Sequence, residues 1–135
     1  MLLTDAGPLV AIIDRGESAH TRCVAALRHV TLPLLTTWPA VTEAMYLLGE
    51  AGGWRGQSDL WKLIERGDLQ IADLTVTVVG RMRTLMEQYR DLPMDLADAS
   101  LVALAEERGL SSIFTLDSDF QVYRLPRKKA FTLIP

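Results

Sequence analysis

The chain has 135 residues, 49% of them hydrophobic, and a formal net charge of -3. That length supports one domain with a real core and excludes two, and the acidic balance excludes nucleic-acid binding through a general basic coat, because such binding scales with the phosphates neutralised. The single cysteine, Cys23, excludes an intramolecular disulfide and a zinc site built on cysteine, so a cytoplasmic protein is expected.

The opening MLLTDAG runs from apolar residues into an acidic turn, and Pro8 starts an apolar run to Ile13. This pattern predicts a short strand ending at Asp5, then a helix with proline in its first turn. The stretch lacks a basic leader and is far shorter than the roughly 20 apolar residues that span a bilayer, so it is assigned to the fold, with no membrane role. Ser18 is placed to cap a helix from His20 to Val30, whose apolar face carries Cys23, Ala26, Leu27 and Val30. LPLLTTW predicts a second strand, and Pro39 opens the helix PAVTEAMYLLGEAG, with Glu43 in its first or second turn. A helix is expected over Ser58 to Arg66, stopped by Gly67, and LQIADLT follows as a third strand. The next helix begins at Thr77 and carries Val78, Val79, Met82, Leu85, Met86 and Tyr89 as a stripe. After Pro93, MDLADASLVALAEERG is helical up to Gly109, SSIFTLD is a fourth strand ending at Asp117, and KAFTLIP is a final strand.

Strands alternating with helices imply an α/β fold of three layers, with a mainly parallel central sheet. No repeat, linker or low-complexity tract divides the chain, so residues 1–135 form a single domain. In such sheets the ligand crevice lies beyond the carboxyl ends of the strands, where Asp5 and Asp117 are expected. Glu43 and Asp98 sit early in helices and face the same end. Singly, each has an ordinary reading: an aspartate before a helix caps it, and a lone glutamate is solvated. Together they make a cluster of like charges, which is unfavourable unless protons or cations neutralise it. A hard divalent ion that keeps open positions, Mg2+ or Mn2+, suits an all-oxygen site and implies phosphodiester hydrolysis without a histidine or cysteine nucleophile.

Four segments, LLTDAGPLVAIID, WPAVTEAMYLL, PMDLADASLVALAEERG and IFTLDSDF, occur in an order that resembles the PIN domain, and within it the VapC-like ribonuclease toxins. The resemblance runs along nearly the whole chain. It implies a metal-dependent endoribonuclease, of the toxin half of a toxin-antitoxin pair, with Asp5, Glu43, Asp98 and Asp117 holding Mg2+ or Mn2+. It also implies that Thr115 supports the acidic centre by hydrogen bonding. Ala6 departs from the hydroxyl residue often found there, which removes one supporting contact. Asp98 is favoured over Asp95 as ligand because it matches the DA segment, leaving Asp95 as a cap or an outer contact. Asp117 is favoured over Asp119 by its strand-end position, with Asp119 holding the loop or an outer water.

Arg127, Lys128 and Lys129 are candidates for RNA backbone contact, although a charge run is ordinarily a solvated loop. Arg55, Arg81, Arg83 and Arg124 are further basic candidates, and His20 is expected at the surface. Trp38, Trp54 and Trp61 are assigned to core or interface packing in preference to base stacking. The apolar run Met45 to Leu48 covers more than one helix face and suggests a homodimer. The expected partners are therefore RNA, an antitoxin protein and a second copy. A phosphotransfer receiver domain fits less well, since DAG follows the first strand and ADLT the third. A phosphatase of the haloacid-dehalogenase type would need an aspartate where Gly7 stands, and no dinucleotide or P-loop fingerprint is present. A housekeeping RNA-processing enzyme and a non-catalytic nucleic-acid-binding module remain as alternatives.

Overall fold

The computed structural model describes residues 1–135. In chain order it comprises β1 (Leu2–Thr4), α1 (Ala6–Ile13), α2 (His20–Leu27), β2 (Leu34–Thr36), α3 (Trp38–Gly52), α4 (Trp54–Glu65), β3 (Leu69–Ile71) and α5 (Val76–Gln88), then α6 (Leu96–Arg108) and β4 (Ser112–Phe114). A 3-10 turn at Ser118–Gln121 leads to β5 (Arg124–Leu125), β6 (Lys129–Ala130) and β7 (Thr132–Ile134). Five strands form one sheet in the order β3-β2-β1-β4-β7, and every neighbouring pair in it is parallel.

The register explains the two main cores. Leu3 lies opposite Leu35 on one side and Ile113 on the other, so these three side chains share a sheet face. That face is buried with Val78, Met82 and Leu85 of α5 and with Leu101, Val102 and Leu104 of α6. Leu34, opposite Leu2 and Leu69, belongs to the other face, where it packs with Leu9 and Val10 of α1, Val41 and Leu48 of α3, and Leu60 of α4. Helix α6 is buried without a break from Ala97 to Ala105, which is why its apolar residues go all round the helix. Gly56 lets α4 close on α3: a Cβ there would lie 3.2 Å from Leu48 Cδ2.

Several sequence-based boundaries shift. Helix α2 ends at Leu27, short of Val30, and Ala19 precedes it with no side-chain cap, so Ser18 plays no capping part. Helix α4 begins at Trp54, four residues before Ser58, because Gly53 at φ 73° ends α3 and lets the chain restart at once. Helix α5 starts at Val76, with the Thr75 hydroxyl accepting the Val78 N–H at 3.2 Å. The final strand splits: Lys129–Ala130 forms a hairpin with β5, and only Thr132–Ile134 joins the main sheet. No helix is long and apolar enough to cross a membrane.

Candidate metal centre

Strand order turns back at β1 and β4: from β1 the chain goes to β2 and β3 on one side, then crosses to β4 on the other. The carboxyl ends of these two strands flank the point where the sheet opens for a ligand. A crevice of about 380 Å³ lies there, lined by Asp5, Glu43, Asp95, Asp98 and Asp117 together with Gly7, Leu116 and Ser118.

Asp5 follows β1 and caps α1, its Oδ1 accepting the Ala6 N–H at 2.8 Å. Its Oδ2 accepts the Thr115 hydroxyl at 2.8 Å, and Thr115 Oγ1 in turn accepts the Asp117 N–H at 3.0 Å. One hydroxyl thus links the ends of β1 and β4. Asp95 caps α6 by accepting the Asp98 N–H at 2.8 Å, and this carries Asp98 into the first buried turn. The Tyr123 phenol donates to Asp98 Oδ2 at 2.6 Å. Asp117 Oδ1 accepts the Asp119 N–H at 2.9 Å, and oxygens of Asp98, Asp117 and Asp119 lie within 4.8 Å of one another. Glu43 projects from the exposed face of α3. Helix α3 is tied to α6 by a buried relay: Thr37 Oγ1 accepts the Ala40 N–H at 3.4 Å and donates to Ser100 Oγ at 2.6 Å, and Ser100 donates to the Ala97 carbonyl at 2.6 Å.

Electrostatics follow from this crowding. Burial raises the Asp98 carboxyl to about 8, against the stabilising Tyr123 hydrogen bond, with the Asp95, Asp5 and Asp117 charges adding to the rise. Asp5 is raised chiefly by burial, and the Thr115 and Ala6 hydrogen bonds oppose it. Glu43 is raised by burial and by Asp5, Asp95 and Asp117, and Asp119 by desolvation and by Asp117 and Asp95. No basic side chain relieves the cluster: the four ion pairs of the chain are Lys62–Asp59, Arg66–Asp68, Arg81–Glu106 and Arg83–Glu87. An all-oxygen donor set with uncompensated negative charge fits a hard divalent cation.

The sequence-derived candidates Asp5, Glu43, Asp95, Asp98 and Asp117 line one crevice, and Thr115 and Asp119 adjoin it. Sequence reasoning missed Tyr123, Thr37 and Ser100, whose contacts span 25 and 63 residues. Arg127, Lys128 and Lys129 are exposed around the β5–β6 hairpin, outside the crevice lining. Arg81 is engaged with Glu106, and Arg124 Nη1 donates to the carbonyls of Gln121, Val122 and Tyr123, so these two are structural. His20 is half-buried and donates from Nδ1 to the Ala11 carbonyl at 2.7 Å, joining α2 to α1. The three tryptophans are outside the core: Trp38 is 50%, Trp54 67% and Trp61 38% exposed.

A parallel α/β domain with an acidic crevice at its switch point defines the class. The chain belongs to the PIN domain family, whose profile matches residues 2–125. It is 24% identical to Ribonuclease VapC26 of Mycobacterium tuberculosis, over 99% of this chain and 100% of that protein. Its fold is similar to that of Mycobacterium tuberculosis VapC20, a sarcin-ricin loop cleaving toxin, with a TM-score of 0.83 at 14% identity over 90% of this chain and 94% of that one. It is also similar to a chain of a toxin-antitoxin complex from Klebsiella pneumoniae, with a TM-score of 0.66 at 17% identity over 89% and 90% of the two chains.

Proposed function

We propose that the protein is a divalent-metal-dependent endoribonuclease that hydrolyses RNA phosphodiester bonds as the toxin of a toxin-antitoxin pair. The observation that carries this reading is the switch-point crevice, lined by five carboxylates and paired with no basic side chain. Asp5, Glu43, Asp98 and Asp117 would hold Mg2+ or Mn2+, which supplies Lewis acidity toward the phosphodiester. Thr115 orients Asp5 and the Asp117 backbone, and Asp95 sets the helix turn that carries Asp98. Neither histidine nor cysteine lines the crevice, so the side chains there act by binding and orienting. The test is cleavage of single-stranded RNA by the purified protein. It should require added magnesium or manganese, and undiminished cleavage in excess chelator would overturn the proposal.

The likeness to the ribonuclease toxins and to the toxin-antitoxin complex supports a protein partner. An arginine delivered into the crevice by that partner pairs with two carboxylate oxygens and competes with the cation. The inhibited complex should then bind manganese more weakly than the free protein, whereas equal affinity would point to a block elsewhere. A small protein encoded beside this one that co-purifies with it distinguishes a toxin from a housekeeping RNA-processing enzyme. Exposed Tyr46 and Leu47 on α3 support the homodimer. Sedimentation should find a dimer that Tyr46→Glu with Leu47→Lys dissociates.

A further inference from the structure

Asp98 and Asp5 are the two buried carboxylates of the crevice, Asp98 being 5% exposed, and the two oxygens of Asp98 are not equivalent. Oδ2 accepts the Tyr123 phenol at 2.6 Å, while Oδ1 receives no hydrogen bond from the protein. The phenol is held rigidly. Tyr123 is fully buried, and its ring meets Phe120 edge-on at 5.1 Å and 89° and Tyr89 at 5.1 Å and 71°. Phe120 is itself edge-on to Phe131 at 5.8 Å. The Tyr89 hydroxyl accepts the Arg124 N–H at 3.0 Å, which fixes the backbone just after Tyr123.

The covalent path adds to this. Asp117, Asp119 and Tyr123 stand on one short segment between β4 and β5, and the phenol reaches from it to Asp98 on α6. The hydrogen bond therefore closes a ring around the three carboxylates whose oxygens lie within 4.8 Å of one another. Oδ1 is then the one Asp98 oxygen free of any protein hydrogen bond.

Coordination chemistry gives that restriction a meaning. Calcium takes six to eight oxygens in flexible geometry and often binds a carboxylate through both of its oxygens, whereas magnesium, the smaller ion, demands near-ideal octahedral geometry. We propose that Tyr123 is a positioning residue that selects the cation: by hydrogen-bonding Oδ2 it draws electron density from that oxygen and directs Asp98 to ligate through Oδ1, which favours compact octahedral ions over Ca2+. The inference rests on the reading of Asp98 as a ligand.

The experiment is calorimetric titration of Mn2+ and Ca2+, each alone, into the full-length protein and three variants, with thermal melts to verify folding. Wild type should bind Mn2+ more tightly than Ca2+. Asp98→Asn should lose both ions. Tyr123→Phe, which keeps every ring contact, should weaken Mn2+ about 10- to 100-fold, the range for lost outer contacts, while Ca2+ binding holds or tightens. Tyr46→Phe, which removes an exposed phenol on α3 that has no contact with Tyr123, should keep the wild-type ratio. If Asp98→Asn loses metal while Tyr123→Phe weakens both ions equally or neither, the selector role is overturned and the site stands. If Asp98→Asn binds Mn2+ like wild type, the ligand assignment falls and the proposal with it. Infrared difference spectra of wild type against Asp98→Asn, with and without Mn2+, give a second reading that does not depend on folding of the tyrosine variant. A one-oxygen carboxylate signature is expected, and a two-oxygen signature overturns the proposal.

Discussion

The Thr115 hydroxyl reaches Asp5 Oδ2 at 2.8 Å across 110 residues of sequence, and it accepts the Asp117 N–H at 3.0 Å with the same oxygen. Thr115→Val should remove both contacts and leave a buried carboxylate oxygen unpaired, a loss of about 1 to 3 kcal/mol. Manganese affinity should fall about 10-fold or more, and Thr115→Ser should restore most of it. Urea unfolding and calorimetry measure the two effects. Unchanged metal affinity in the valine variant would confine Thr115 to a structural role.

Asp98→Asn should abolish RNA cleavage with folding intact, whereas Asp95→Asn should keep substantial activity. Asparagine caps a helix about as well as aspartate, so the latter variant preserves the turn that carries Asp98. Cleavage assays with matched circular dichroism decide the matter, and equal loss in both variants would reassign the ligand.

Without metal, stability should fall as pH rises. The Asp98 carboxyl has an ordinary value of 3.8 and a folded value of about 8. Between those values the folded chain holds a proton that the unfolded chain has released, so its contribution is full at the acidic end and lost through about pH 8. Thermal melts across that window in chelator should decline. Asp98→Asn should flatten the decline, as should saturating manganese. A rise in stability over the same window would contradict the burial of this carboxyl.

Arg127 and Lys128 both have positive φ, 62° and 61°, which non-glycine residues adopt at a cost of about 1 kcal/mol or more each. Replacing both with glycine should raise stability by about 1 kcal/mol. If the hairpin contacts RNA backbone, the double variant should also bind RNA more weakly, with a salt dependence shallower by about two charges. Weakened binding without a change in salt slope would assign the loss to hairpin shape.

Most of this architecture was legible because strand and helix periods carry it. LLT, LLT and SIF are short apolar runs, and Asp5 directly follows the first, but β4 ends at Phe114, so Asp117, expected at the strand end, instead caps the 3-10 turn beyond it. The hairpin was hidden because a turn with two positive-φ residues is normally announced by asparagine or glycine, whereas here the sequence has arginine and lysine. The start of α4 was hidden by Gly53 and Gly56, which look like loop residues but serve a cap and a close helix approach. Tyr123 lies in a short apolar stretch and resembles any core residue. Only the docking of its segment on α6 brings its hydroxyl to Asp98.

The central position of β1 also orders events in time. Its partner β4 lies more than a hundred residues later, and the Thr115–Asp5 bond cannot form until that strand docks. A chain growing from its amino end carries Asp5, Glu43 and Asp98 well before it has Asp117 or the phenol that fixes Asp98. The acidic crevice is therefore incomplete through most of synthesis, and the proposed nuclease activity should be absent from a nascent chain until β4 and the segment after it have emerged. Proteolytic cuts act in the same way: a fragment ending before β4 keeps three of the four proposed ligands but loses Thr115 and Tyr123, whose hydroxyls hold Asp5 and Asp98.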